Sequence, residues 1–136
     1  MMTDKKKIFV IEDDATILYG LIAKLHNAGF EASLNDGSGE IKNVMDQLKI
    51  DDPEYIILDL LLPQIDGYEL IRQIKGDNDL SHIPIFVFTN INEADAIERC
   101  RRLGVEQYFR KTELSIDELA HKIIKIIDNK KKIEIP

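Results

Sequence analysis

One carboxylate in this sequence stands where a reactive group is expected. Asp59 ends the apolar run Tyr55–Leu58 and precedes the segment Leu60-Leu-Leu-Pro-Gln-Ile-Asp-Gly67, whose proline and glycine indicate a turn. A buried strand that stops at an acid places that acid at the carboxyl edge of the sheet, where open α/β sheets bind ligands. Taken alone, such an aspartate is more often a turn or cap residue, so its neighbours at the edge decide the interpretation.

Further polar side chains follow the ends of other apolar runs. Glu12, Asp13 and Asp14 follow the first run, Thr89 the fourth, and Lys111 the fifth. Carboxylates gathered within about 5 Å repel by about 3 kcal/mol per pair at an effective dielectric near 20, and a bound divalent cation removes that cost. Oxygen ligands of this kind favour Mg²⁺, which completes its shell with waters and a phosphate oxygen. An ammonium and a hydroxyl would supply the donors that an incoming phosphoryl group needs.

Each of these residues also has a purely structural interpretation. Asp14 is expected to cap the first helix, where an acid favours the positive end of the helix dipole, and Asp66 to cap the third. On its own, Lys111 would be a solvated lysine, Thr89 a strand-end hydroxyl bonded to backbone, and Tyr108 a half-buried sheet aromatic. The joint occurrence of acids, hydroxyl and ammonium at one edge is what favours a reactive site.

The elements that position these residues alternate along the chain. Short apolar or aromatic runs predict five strands, at Lys7–Ile11, Phe30–Leu34, Tyr55–Leu58, Ile83–Phe88 and Gln107–Phe109. Apolar residues with the helical period follow each run. Gly29 and Gly104 suit helix ends that need a positive φ, and Asn90 or Asn92 suits the start of the fourth helix. Five βα units predict an α/β fold with a parallel sheet covered on both faces.

Composition limits the class of protein. The 136 residues, 44% of them hydrophobic and 32% charged, predict one domain over residues 1–136, with a core at about 6–129 and a short charged tail at 130–136. A net charge of -7 argues against direct nucleic-acid binding, which needs clustered cations. No apolar run approaches the roughly 20 residues of a membrane span, and no signal peptide is predicted. The single cysteine, Cys100, fits a reducing cytoplasm and a helix core.

Several motifs together resemble the receiver domains of bacterial two-component response regulators, over about residues 6–129. Ile11-Glu12-Asp13 resembles the family's acidic pair, and the segment from Asp59 to Gly67 resembles its phosphoacceptor signature. Phe88-Thr89 and Tyr108-Phe-Arg-Lys111 match its conserved hydroxyl, switch aromatic and lysine. The resemblance implies a flavodoxin-like (βα)5 three-layer sandwich with a parallel five-stranded sheet in the order 2-1-3-4-5.

The resemblance also implies a role for each site residue. Asp59 would take a phosphoryl group from a histidine kinase or a histidine phosphotransfer protein. Asp13 and Asp59 would bind Mg²⁺ directly, the Leu61 backbone carbonyl would add a third oxygen, and Glu12 would act through water. Lys111 would pair with Asp59 at rest and with the phosphoryl group afterwards.

By the same resemblance, phosphorylation would switch a distant surface. Thr89 would donate its hydroxyl to the phosphoryl group and move toward it, while Tyr108 would turn inward into the vacated space. The fourth helix, fifth strand and fifth helix would then bind an unknown downstream protein, or a second copy in a homodimer. Added charge at one edge biases a two-state surface in this way. The expectation is a stand-alone cytoplasmic signalling domain that catalyses only its own phosphotransfer and dephosphorylation.

Three positions depart from the family pattern in two ways. Thr112 follows Lys111 where the family usually has a proline, often after a cis bond, and a cis bond without proline costs about 2.5–4 kcal/mol. The loop is therefore expected to be either strained or trans with a displaced lysine. Leu61 and Ile91 occupy positions that often orient the attacking water in the family. Because neither side chain offers a hydrogen bond, slow loss of the phosphoryl group is expected.

Two other functions stay open at this point. One is a receiver-shaped interaction module that works without phosphorylation, which the change at Thr112 allows. The other is a phosphohydrolase or phosphotransferase of the haloacid dehalogenase type, which also uses an aspartate at a strand end and Mg²⁺. That class requires a second acid two residues after the nucleophile, where this chain has Leu61.

Overall fold

Five strands and five helices alternate along the chain. The computed structural model describes residues 6–91 and 93–134, with side chains described up to residue 129. The strands are β1 (Lys7–Ile11), β2 (Glu31–Asn35), β3 (Tyr55–Leu58), β4 (Ile85–Thr89) and β5 (Gln107–Arg110). The helices are α1 (Ala15–Asn27), α2 (Ile41–Asp51), α3 (Gly67–Gly76), α4 (Ala96–Arg102) and α5 (Ile116–Glu134). All four strand pairings are parallel, and the sheet order is β2-β1-β3-β4-β5, which confirms the predicted fold class.

Two hydrophobic clusters hold helices against opposite faces of the sheet. Alternate residues of β1 divide between them, with Phe9 and Ile11 in one cluster and Ile8 and Val10 in the other. The first cluster contains buried residues of α2, α3 and α4, and the second contains those of α1 and α5. Strands buried on both faces read as continuous apolar runs, which is why β3 and β4 stand out in the sequence.

Three strands and one helix differ from their predicted bounds, and of these β5 ends at Arg110, one residue later than predicted. β2 runs from Glu31 to Asn35, and β4 begins at Ile85, after a proline that has no backbone N–H for the ladder. The fourth helix begins at Ala96 instead of Asn90, because its buried face begins with Ala96 and Cys100. The alternative start, Asn92, lies outside the described residues. Gly29 and Gly104 have the predicted positive φ, at 95° and 88°.

The last helix is longer than the sequence pattern predicts. Residues 130–134, expected to form a charged tail, continue α5 to Glu134. The Lys and Glu residues of this segment are good helix formers, and only Pro136 at its end disfavours a helix. The composition of this segment therefore indicated a change from apolar to charged residues, but the helix continues through it.

Candidate functional site

Asp59 lies at the carboxyl edge of the sheet, where it follows the end of β3 beside the end of β1. Ile11, at the end of β1, pairs with Leu58 at the end of β3, and the Asp59 N–H donates to the Ile11 carbonyl at 3.0 Å. The Asp59 side chain is 4% exposed. One carboxylate oxygen, Oδ1, accepts the Leu61 N–H at 3.0 Å, and the other, Oδ2, accepts from Lys111 Nζ at 2.8 Å. Asp59 is thus a buried, oriented carboxylate at the ligand-binding edge.

Lys111 bridges two acids. Its Nζ lies 2.7 Å from Glu12 Oε1 and 2.8 Å from Asp59 Oδ2, and its backbone N–H donates to the Thr89 carbonyl at 2.9 Å. Burial opposes a charged lysine, but the hydrogen bonds that Lys111 donates to Asp59 and Glu12 outweigh it and raise the pKa of Lys111. The bond between Lys111 and Thr112 is trans, since the described residues contain no cis peptide. The lysine nevertheless reaches Asp59 without the usual proline.

Three acids at this edge are close enough to share one cation. Glu12, Asp13 and Asp59 each offer a carboxylate oxygen, and these oxygens lie within 4.8 Å of one another. Glu12 and Asp59 are buried, whereas Asp13 is exposed. A set made only of carboxylate oxygens fits a hard cation such as Mg²⁺ better than the nitrogen and sulfur sets of zinc sites.

Glu12 has a strongly altered acidity. Its side chain is 2% exposed, and burial raises its pKa from 4.5 to about 7, although hydrogen bonds from Lys111 and the Asp14 N–H act in the opposite direction. The negative charge of Asp59 adds to the rise. Near neutral pH, Glu12 is therefore on the border between its protonated and charged forms.

This acidity predicts a pH-dependent stability for the metal-free protein. Between the unfolded pKa of 4.5 and the folded value of about 7, the folded state holds a proton that the unfolded state releases. The contribution of Glu12 is therefore fully present below 4.5 and is lost as the pH rises through 7. We expect wild type to lose about 2–3 kcal/mol relative to Glu12→Gln over this range. Urea unfolding in EDTA at several pH values measures the difference, and parallel curves for both proteins would contradict it.

Thr89 is the last residue of β4, and Tyr108 lies on the neighbouring strand, β5. Thr89 is fully buried, and its Oγ1 accepts the Ile91 N–H at 3.4 Å. The Tyr108 hydroxyl donates to the Ile91 carbonyl at 2.9 Å, and burial raises the pKa of Tyr108 to about 12. Both side chains therefore bond to the loop between β4 and α4, at the same residue.

Two acids near the site have the structural role that the sequence predicts. Asp14 is the N-cap of α1 and accepts the Ile17 N–H, and Asp66 is the N-cap of α3 and accepts the Tyr68 and Glu69 N–H groups. The next residue, Gly67, packs directly on the segment after Asp59. A Cβ at this position would lie 2.6 Å from Leu60 Cα and 2.7 Å from the Leu60 oxygen. Only glycine leaves room for α3 to start against that loop.

Sequence reasoning missed two contacts of the site. It paired Lys111 with Asp59 alone, and it considered the Leu61 carbonyl without its N–H, which donates to Asp59. The first contact could have been expected, because an ammonium placed among several acids seldom pairs with only one. The second is the usual bond of an aspartate to the N–H two residues onward.

Comparison with known proteins finds a matching family and several relatives. The family model described as response regulator receiver domain matches residues 8–124. A probable transcriptional regulator ycf27 of Guillardia theta is 32% identical over 109 residues, which cover 79% of this chain and 40% of that protein. The polar-differentiation response regulator DivK of Brucella ovis is 27% identical over 106 residues, which cover 78% of this chain and 84% of DivK.

The fold also has a solved counterpart. The crystal structure of the phosphorylated cyanobacterial phytochrome response regulator RcpA superimposes with a TM-score of 0.74 at 27% identity, covering 90% of this chain and 91% of that one. The chain spans between 40% and 44% of the length of the ycf27 proteins that it matches. Within the part of the chain that the structure describes, no helix has the length and apolar character needed to cross a membrane.

Proposed function

The chain belongs to the response regulator receiver domain family, and from that premise we propose that it accepts a phosphoryl group on Asp59. The observation that carries the proposal is the setting of this carboxylate. Asp59 is buried, is bonded to Lys111 at 2.8 Å, and lies with Glu12 and Asp13 in a cluster that could hold a cation. Two-component signalling is therefore the function that this site supports best.

In the proposed reaction, a carboxylate oxygen of Asp59 attacks the phosphorus of a phosphohistidine. The bond between phosphorus and the imidazole nitrogen breaks, its electron pair stays on that nitrogen, and an acyl phosphate forms on Asp59. A histidine kinase or a histidine phosphotransfer protein would supply the phosphohistidine. When bound, Mg²⁺ would offset the negative charge on the phosphoryl oxygens. Asp13, Asp59 and the Leu61 carbonyl would hold the ion directly, and Glu12 would hold it through water.

Lys111 and Thr89 would then bind the phosphoryl oxygens. Lys111 is already within 2.8 Å of Asp59 and carries its charge in the folded protein, which suits an ion pair with the new dianion. Thr89 would add its hydroxyl, and its movement would let Tyr108 turn inward. The surface of α4, β5 and α5 would change as a result and bind a downstream protein or a second copy. We place this signalling in the cytoplasm.

The test is uptake of a phosphoryl group in purified protein. We expect wild type, incubated with Mg²⁺ and a small acyl phosphate, to gain the mass of one phosphoryl group, and Asp59→Asn to gain none. Asp66→Asn is the matched control, because it removes an acid nearby whose role is to cap α3. An unmodified wild type under both a small donor and a phosphorylated histidine protein would leave a phosphorylation-independent interaction module as the better account.

Loss of the phosphoryl group is expected to be slow. The Leu61 side chain is 53% exposed and Ile91 is partly buried, and neither can hydrogen-bond a water that attacks phosphorus. We therefore expect the acyl phosphate to last for minutes or longer after the donor is removed. Replacing Leu61 with asparagine should shorten its lifetime. The decay of the intact mass over time gives the rate, and a lifetime of seconds in wild type would contradict the prediction.

A further inference from the structure

A half-buried arginine on α4, Arg99, stacks on an aromatic ring of α3. The Arg99 guanidinium lies over the Tyr68 ring, 3.7 Å from its centroid, so one planar face is covered by the aromatic ring. Among the side chains described, at residues 6–91 and 93–129, none accepts a hydrogen bond from its N–H groups, and no carboxylate lies within ion-pair distance. A guanidinium fixed by stacking, with its edges available, is prepared for an anion.

Two more arginines lie around it in a groove between α3 and α4. A cavity of about 260 Å³ is lined by Arg72, Arg99, Arg102 and Leu103. Arg72 is four residues after Tyr68 on α3, and Arg102 is one turn after Arg99 on α4, so both guanidinium groups face the same groove. The four residues that line the cavity contribute three positive charges and no carboxylate.

Four acids lie in this region: Glu93 and Asp95, whose charges act on the Tyr68 ring beneath Arg99, and Glu69 and Glu98. Glu69 pairs with Arg72 at 2.6 Å on the exposed surface, where such pairs are worth little. Glu98 is held by Arg101 through two hydrogen bonds at 2.5 and 2.9 Å, and lies 4.0 Å from Arg102, too far for a hydrogen bond. The residues that line the groove are nevertheless all arginine apart from Leu103, in a chain whose net charge is -7.

We propose that this groove binds a small molecule that carries a phosphate group. Each guanidinium group can donate two parallel N–H bonds to phosphate oxygens. A phosphate can accept such bonds from arginines on two helices at once, whereas a single carboxylate cannot accept them from three arginines. Leu103 supplies an apolar wall that suits an organic portion attached to the phosphate. The proposed site is on the α3/α4 side of the sheet and does not include the acids that surround Asp59.

The experiment is a titration followed by amide NMR, at constant ionic strength and with EDTA present so that no cation bridges phosphate to the acidic edge. Inorganic phosphate and adenosine monophosphate are the two probes. Saturable shifts are expected in α3 and α4, and tighter binding of the nucleotide would indicate that the organic portion contacts the apolar wall. If inorganic phosphate binds with the same affinity as adenosine monophosphate, the groove recognises the phosphate group and not the organic portion.

Charge-matched variants separate a built site from general attraction. Arg99→Gln and Arg102→Gln should weaken binding about tenfold or more, whereas Lys125→Gln, which removes one charge from the exposed face of α5, should change it less than about twofold. Because Arg99 packs on Tyr68, the exposed Arg102 provides a variant with little risk to folding. Titrations without saturation, shifts that cluster near Asp59, or equal weakening by Lys125→Gln would overturn the proposal.

Discussion

Replacing Lys111 with methionine should cost the metal-free protein about 3–5 kcal/mol of stability near pH 8. The Lys111 ammonium lies 2.7 Å from Glu12 and 2.8 Å from Asp59, and these acids are only 2% and 4% exposed. Methionine preserves most of the side-chain volume but leaves two buried carboxylates, with oxygens within 4.8 Å of each other, without the ammonium between them. The loss should shrink as the pH falls, because burial already raises the Glu12 pKa to about 7 in wild type and removal of Lys111, which lowers it, raises it further, so that Glu12 takes up a proton.

The measurement is urea unfolding with and without Mg²⁺. A cation bound among the acids stabilises the folded state, so Mg²⁺ should recover part of the loss in Lys111→Met. Lys49→Met is the matched control, since Lys49 pairs with Asp77 at 2.9 Å on the surface and should cost less than about 1 kcal/mol. Equal losses in the two variants would show that the Lys111 bridge contributes no more than a surface pair.

Replacing Gly67 with alanine should destabilise the protein by about 3 kcal/mol and slow phosphoryl uptake. The added methyl group would lie 2.6–2.7 Å from the Leu60 Cα and carbonyl oxygen, and these are backbone atoms that cannot rotate away. Either α3 or the segment after Asp59 has to move. Since the Leu61 N–H orients Asp59, movement of that segment displaces the carboxylate as well.

Gly76→Ala is the control for this variant. Gly76 is the last residue of α3, and a Cβ there would meet no atom within 4 Å. Alanine is also the better helix former, so this change should be neutral or stabilising by up to about 1 kcal/mol. Thermal unfolding compares the two variants, and the mass gain with acyl phosphate compares their rates of uptake. If Gly67→Ala unfolds at the temperature of wild type, the close packing on Leu60 is not what holds the loop.

The sheet and the polar residues at its carboxyl edge were predictable from the sequence, because both depend on short-range patterns. An apolar run that stops at an acid identified Asp59, and the repeated alternation of strand and helix placed Glu12, Asp13 and Lys111 at the same edge. The caps at Asp14 and Asp66 were predictable for the same reason, since an acid before an apolar helical run has few other uses.

The remaining features depend on contacts between distant parts of the chain. The start of α4 is set by the burial of Ala96 and Cys100, and the sequence around Asn90 contains an equally good capping residue. The Arg99 contact with Tyr68 joins residues on different helices, and spacing along the chain gives no indication of it. The altered acidity of Glu12 likewise results from burial together with Lys111 and Asp59, which only the folded chain brings together.

The hydrogen bond from Tyr108 to the Ile91 carbonyl has a consequence for the resting state. A neutral hydrogen bond of this kind contributes roughly 0.5–1.5 kcal/mol net, whereas a change from 1:99 to 99:1 between two conformations requires about 5.5 kcal/mol. If that bond were the whole difference between outward and inward Tyr108, the inward rotamer would already be present at several per cent or more without phosphate. The resting domain would then be partly active without phosphate. Packing around α4 would have to supply the rest of the free-energy difference that keeps the domain inactive.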